Sequence, residues 1–221
     1  MINVITINLN NKDGFKRTIE SVVNQTYFDK INYIIIDGGS TDGSVDVIKE
    51  YQDKFYYWVS EKDNGIFHAM NKGIDAAPNE GYCLFLNSGD YLINDIKIER
   101  IWNELNVDIL YGNEIMIKSD GRQFTSTYPD ILDERFFKIS ALPHQSTFIR
   151  TELLKKHKYS EEYFVMGDWK LLRELIMEEK VSYKHIKKNI SIFYLDGIST
   201  LYGDKFKEEK RSYYRSKNIC L

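Results

Sequence analysis

Ile31-Asn32-Tyr33-Ile34-Ile35-Ile36-Asp37-Gly38-Gly39-Ser40-Thr41-Asp42-Gly43 is the stretch whose reading decides the fold. Residues 31–36 form a nearly continuous apolar run, short and rich in isoleucine, which predicts a strand buried on both faces. The run stops abruptly in a polar, glycine-rich loop. Ser40 or Thr41 is placed there to cap a helix over residues 44–51. A buried strand, a polar loop and a helix make one unit of a parallel sheet covered by helices.

The same rhythm continues on both sides. Residues 2–8 are a β-branched run, and a polar turn over 10–14 follows. Phe15, Ile19, Val22 and Val23 then recur at helical spacing through residue 24. Downstream, residues 55–59 read as a strand, 66–76 as a helix and 82–86 as another buried strand. Beyond residue 90 the pattern changes. A helix is predicted over 96–105, and 108–118 pairs with 123–127 across Ser119-Asp120-Gly121 as a hairpin. Residues 144–149 read as a short strand, and Leu171, Leu172, Leu175 and Ile176 mark a helix over 169–177. The tail, 205–217, mixes Lys and Arg with Phe and Tyr. The expectation is a single α/β domain over residues 1–221 with a mostly parallel central sheet flanked by helices.

Composition narrows the partners. With 43% hydrophobic and 29% charged residues among 221, the chain has ordinary globular composition and is not of a disordered class. A net charge of −3 argues against nucleic acid as a partner. Cys83 and Cys220 form no disulfide framework and no metal spacing, which fits a reducing compartment. No run of 18 apolar residues exists, and the N-terminus lacks a basic region followed by a cleavage site, so a cytoplasmic protein is expected.

In open parallel sheets, ligands bind at the carboxyl ends of the strands. The loops 37–43, 60–65 and 87–90 all follow strands at that end and should line one site. There is no G-x-G-x-x-G after the first strand, no P-loop and no G-x-S-x-G elbow. His68, His144, His157 and His185 have no zinc-type spacing. What remains is a set of acids on loops. Asp90, after Asn87-Ser88-Gly89, is placed to hold Mg²⁺ or Mn²⁺ against a diphosphate, or else to cap a turn. Asp37 is placed to read a ribose hydroxyl, though Asp-Gly-Gly is also a common turn. Asp168 opens an amphipathic helix, where an Asp serves either as a cap or as a general base at a cleft edge.

Taken together, these segments resemble the family-2 type of inverting glycosyltransferases with the GT-A fold. The resemblance runs through Val4-Ile5-Thr6-Ile7-Asn8-Leu9-Asn10, Ser21-Val22-Val23-Asn24-Gln25-Thr26 and Asp37-Gly38-Gly39-Ser40-Thr41-Asp42-Gly43. It continues through residues 61–74, Phe85-Leu86-Asn87-Ser88-Gly89-Asp90, Pro143-His144-Gln145-Ser146, Gly167-Asp168 and Gly197-Ile198-Ser199. The 61–74 and 85–90 segments are most similar to a bacterial subgroup that builds exopolysaccharide, colanic-acid-like and O-antigen glycans.

The resemblance implies that Asp168 is the base that deprotonates the acceptor hydroxyl and that Asp90 holds the metal, Mn²⁺ or Mg²⁺. It implies nucleotide contacts from Thr6, Asn8, Asp37, Asp63, Lys72, Asn87 and Ser88, with Lys72 toward the diphosphate or simply solvated. His144 and Gln145 would border the acceptor, or serve as hydrogen-bonding core. Residues 1–90 would bind the nucleotide sugar and 91–204 the glycan acceptor, expected to be linked to polyprenyl diphosphate. One sugar would move with inversion, in a single displacement without a covalent enzyme nucleophile. Gly38 stands where many members have a second Asp that reads uracil, so a UDP donor is an expectation of the family alone. Gly89 replaces a further acid. The Q-x-x-R-W motif of processive synthases is absent, which favours single addition.

Residues 205–221 read as a basic aromatic helix, either solvated or lying against the inner membrane leaflet. Two other readings compete with a transferase. A sugar nucleotidyltransferase would need a basic glycine-rich loop after the first strand, which residues 8–14 do not offer. A non-catalytic sugar-binding relative would be free to lose both Asp90 and Asp168.

Overall fold

The computed structural model describes residues 1–93, 101–195 and 202–219. The expected β-α rhythm is present in the first half: β1 (Ile2–Asn8), α1 (Lys12–Val23), β2 (Ile31–Asp37), α2 (Ser44–Tyr51), β3 (Tyr57–Ser60), α3 (Ile66–Ala76) and β4 (Tyr82–Phe85). Then come β5 (Tyr91–Leu92), β6 (Ile109–Ile117), β7 (Gln123–Ser126), α4 (Glu134–Ile139), β8 (Thr147–Arg150) and α5 (Thr151–His157). The described chain closes with α6 (Gly167–Arg173), β9 (Tyr183–Tyr194) and α7 (Gly203–Ser216).

One sheet runs in the order β3-β2-β1-β4-β8-β6-β9-β5, with β7 hydrogen-bonded to β6. The four strands of the first half are mutually parallel. β8 is antiparallel to both β4 and β6, whereas β6 and β9 are parallel. The mixed α/β class with a mostly parallel sheet is therefore as expected. Side-chain alternation explains why β2 carries no polar face. On β2, Ile34 and Ile36 pack toward α3, while Tyr33 and Ile35 pack with Phe15 and Ile19 of α1 and Val47 of α2. Both faces are covered, as parallel sheets require.

Several local expectations need correction. The first helix begins at Lys12 rather than residue 15, because the Asn11 side chain accepts from the Gly14 backbone N–H and nucleates it early. Neither Ser40 nor Thr41 caps α2. Asp42 Oδ1 instead accepts from the Ser44 N–H and hydroxyl, and Ser40 is drawn away to Asp37. Residues 144–146 form a 3₁₀ turn, with the strand starting at Thr147. The long strand β9 was not foreseen, because its lysines interrupt any apolar alternation. The helix expected over 96–105 lies largely outside the described residues, as does Gly197-Ile198-Ser199.

The tail forms α7, but it is not a free amphipathic segment. Tyr213 and Tyr214 are buried, their rings 5.5 and 5.6 Å from Trp169 of α6, and Lys210 lies 4.8 Å above the same indole. The aromatic residues that would have entered a bilayer are thus part of the core. Among the described residues no helix is long and apolar enough to cross a membrane.

Candidate active site

Three loops converge at the carboxyl ends of β1, β2, β3 and β4. At the end of β2, Asp37 is fully buried and its carboxylate accepts five hydrogen bonds. Asn8 Nδ2 and Ser40 Oγ donate to Oδ1 at 2.8 and 2.6 Å. Ser60 Oγ and the Gly39 and Ser40 N–H groups donate to Oδ2 at 2.6, 3.2 and 2.9 Å. Burial alone would raise its pKa, but the donated hydrogen bonds outweigh it and hold the group below the usual 3.8. Both Asp37 oxygens are thus engaged in closing the loop. Thr6 is wholly buried, with its hydroxyl 3.1 Å from the Tyr33 hydroxyl. Asn8 is placed as expected at the strand end. Its Oδ1 is buried with no protein partner among the described residues.

The loop after β3 brings Asp63 against Gly38. A Cβ at residue 38 would lie 3.2 Å from Asp63 Oδ2 and 3.3 Å from Leu9 Cδ1. The side chain missing at 38 thus leaves no hole, because the Asp63 carboxylate sits beside it. Asp63 Oδ1 accepts from Lys72 Nζ at 2.6 Å and lies 3.2 Å from His68 Nδ1. Lys72 also pairs with Glu61 at 2.8 Å, so its charge is matched within its own loop and helix.

The loop after β4 carries Asn87, Ser88 and Asp90 and is pinned to α1. Gly89, at φ 110°, makes the left-handed turn, and its N–H donates to Thr18 Oγ1 at 2.9 Å. The Thr18 hydroxyl donates to the Asp90 carbonyl at 2.8 Å, and Asn11 Nδ2 donates to the Ser88 carbonyl at 3.0 Å. Asp90 is only 6% exposed. Among the described residues no three His, Cys, Asp or Glu side chains are grouped to hold a metal by themselves. A lone carboxylate at a strand end fits a hard cation that takes its other ligands from phosphate oxygens and water.

Asp168 comes from the other half of the chain. It stands at the start of α6, whose N-cap position, Met166, makes no side-chain capping bond. Gly167 permits the approach, because a Cβ there would fall 2.8 Å from the Phe67 ring of α3. Asp168 Oδ1 accepts from the Trp169 N–H at 2.7 Å, and Oδ2 lies 3.2 Å from His144 Nδ1. On its other side the His144 ring places Nε2 3.1 Å from the Asn87 amide. One imidazole thus bridges Asp168 to the loop that holds Asp90. Burial opposes a charge on His144, yet the Asp168 contact prevails and its pKa is raised above 6.5.

A buried acid missed by the sequence reading stands behind this bridge. Glu114 on β6 is 4% exposed and accepts from Tyr128 and Gln145 at 2.6 Å each. Burial raises its pKa. A Glu within a β-strand reads as solvent-facing, so only the flag on Gln145 could have pointed to it.

The fold and these acidic loops define a mixed α/β domain with a site at its strand ends, and comparison identifies its family. Residues 3–179 match the model of glycosyl transferase family 2, and the chain belongs to that family. An uncharacterised glycosyltransferase of Mycobacterium tuberculosis is 31% identical over 189 residues, covering 82% of this chain and 71% of its own. A PGL/p-HBAD biosynthesis glycosyltransferase of Mycobacterium bovis is 28% identical over 76% of this chain and 67% of its own. Among solved structures, S. aureus TarS 1–349 in complex with UDP-GlcNAc superposes with a TM-score of 0.70 at 18% identity, covering 87% of this chain. This chain spans 58% of that one. The mannosyltransferase of Pyrobaculum calidifontis, solved with GDP-Man and Mn²⁺, superposes at 0.65 with 14% identity, covering 86% of this chain and 56% of its own. The fold is that of the GT-A glycosyltransferases.

Proposed function

We propose that this chain moves one sugar from a nucleoside-diphosphate sugar, UDP-linked, to a hydroxyl of a glycan acceptor, with inversion at the anomeric carbon. The observation that carries the reading is the juxtaposition of Asp168 with the Asn87–Asp90 loop through His144. It brings a carboxylate for proton abstraction next to the strand end where a diphosphate would sit. Asp168 takes the acceptor proton as its oxygen attacks, and the nucleotide leaves from the opposite face of the sugar.

Asp90 is the residue that would hold Mn²⁺ or Mg²⁺, whose chemistry is to neutralise charge on the departing diphosphate. The Mn²⁺ bound in the mannosyltransferase supports a cation in this fold, and UDP-GlcNAc in TarS supports a UDP sugar. Residues 1–90 then serve the donor, through Asn8, Asp63, Asn87 and Ser88, and 91–204 serve the acceptor, with α7 bracing α6. The subgroup resemblance supports a lipid-linked acceptor, polyprenyl diphosphate by class, and work at the cytoplasmic face of a membrane.

The test is turnover of UDP, GDP, CDP and dTDP sugars with Mn²⁺, followed by nucleotide release, for the wild type and Asp168→Asn. Release by the wild type and its loss in the variant are expected. Equal rates for the two proteins would remove Asp168 from the reaction.

A further inference from the structure

We infer that His144 is a positioning residue that sets the orientation of the Asp168 carboxylate relative to the donor loop. This rests on the reading of Asp168 as the base. Its Oδ1 touches the N–H of the next residue, a contact that follows the backbone and leaves rotation about the Cβ–Cγ bond poorly restrained. The contact that fixes the plane is His144 Nδ1 on Oδ2. The opposite ring nitrogen meets Asn87, so the imidazole is clamped between two halves of the site. Asn87 Oδ1 is buried with no hydrogen-bond partner among the described residues, and exchanging the amide N and O would let it accept from Nε2–H. In either amide orientation the ring is, among the described residues, the only side chain hydrogen-bonded to both Asn87 and Asp168.

The turn that carries His144 is anchored far more heavily than a connecting segment needs. Gln145 is 3% exposed and donates to the buried Glu114, whose other oxygen is taken by the Tyr128 hydroxyl. Ser146 bonds the Ser191 hydroxyl at 2.6 Å and the Asn113 carbonyl at 3.1 Å. Thr147 Oγ1 closes back on the Pro143 carbonyl at 2.7 Å. A buried carboxylate is costly where an apolar residue would pack, so a pinned polar turn is expected where geometry must be held. Here the geometry it holds is that of His144. A carboxylate misplaced by about 1 Å is enough to lose roughly 10²-fold in rate.

The experiment separates the two ring nitrogens. The amide of Asn reaches the place of Nδ1, and that of Gln the place of Nε2. His144→Asn should keep donor turnover within about threefold of wild type, because it still donates to Asp168. His144→Gln and His144→Ala should lose roughly 10–100-fold in kcat with KM for the nucleotide sugar unchanged. All three, with Asp168→Asn, are compared by turnover and by melting temperature.

Equal kcat for His144→Ala and wild type overturns the inference, provided that Asp168→Asn is dead. So does a loss in which Asn is no better than Ala, or one that tracks a fall in melting temperature. An active Asp168→Asn, or a wild type that turns over no donor, overturns the proposed function and the inference with it.

Discussion

An Asp in the first turn of a helix is ambiguous by chemistry, since the same N–H groups that favour a cap also favour a reacting carboxylate. Asp168 is not in the N-cap position, and among the described residues its two oxygens hydrogen-bond to the next N–H and to His144. The proposed general base therefore follows from where α6 starts. Asp168→Asn should reduce kcat by about 10²–10⁴-fold while leaving donor KM near wild type. Thr6 makes the opposite case. It shares a strand and a face with Asn8, but it lies one pleat back from the strand end, where that face is covered and its side chain is fully buried. Thr6→Val should leave nucleotide affinity unchanged and cost about 1–3 kcal/mol, by stripping the Tyr33 hydroxyl of its partner. Chemical denaturation and nucleotide titration of one preparation would check both halves, and weakened nucleotide binding would restore Thr6 to the site.

At the scale of elements, the strand-loop-helix units and the acids that end them were legible in residue order. What was not legible was where each polar side chain spends its hydrogen bonds. Asp37 and Lys72 carry the right chemistry for a ribose and a diphosphate, and both also bond neighbours 2 to 29 residues away. The Asp37 loop gives a pH prediction. A carboxylate held below its unfolded value contributes stability that is complete above about pH 3.8 and is lost as pH falls through the lower folded value. Removing one donor by Ser60→Ala should cost about 1.5 kcal/mol at neutral pH and move acid unfolding to higher pH. An unchanged acid midpoint by circular dichroism would contradict the arrangement. Similarly, Gly167→Ala would push α6 off Phe67, lowering the melting temperature and donor turnover together.

Over the whole molecule, the antiparallel β8 and the unforeseen β9 extend the sheet and bring the 143–147 turn under Asp168. Glu114 escaped notice because a long-range pairing, not a local pattern, buries it. The tail shows the same limit: its basic aromatic composition suggested a membrane surface, whereas Tyr213 and Tyr214 complete the packing around Trp169. Tyr214→Ala should cost about 3–5 kcal/mol, and its effect on turnover should follow lost structure.

The proposed function requires a nucleoside diphosphate to bind at the strand ends with a cation at Asp90. The most direct measurement is a thermal-shift panel of UDP, GDP, CDP and dTDP, each with Mn²⁺ or with EDTA, on wild type and Asp90→Asn. Stabilisation by one diphosphate, UDP by this account, that needs Mn²⁺ and disappears in Asp90→Asn is the predicted result. No shift with any nucleotide, or a shift indifferent to both the cation and Asp90, would contradict it.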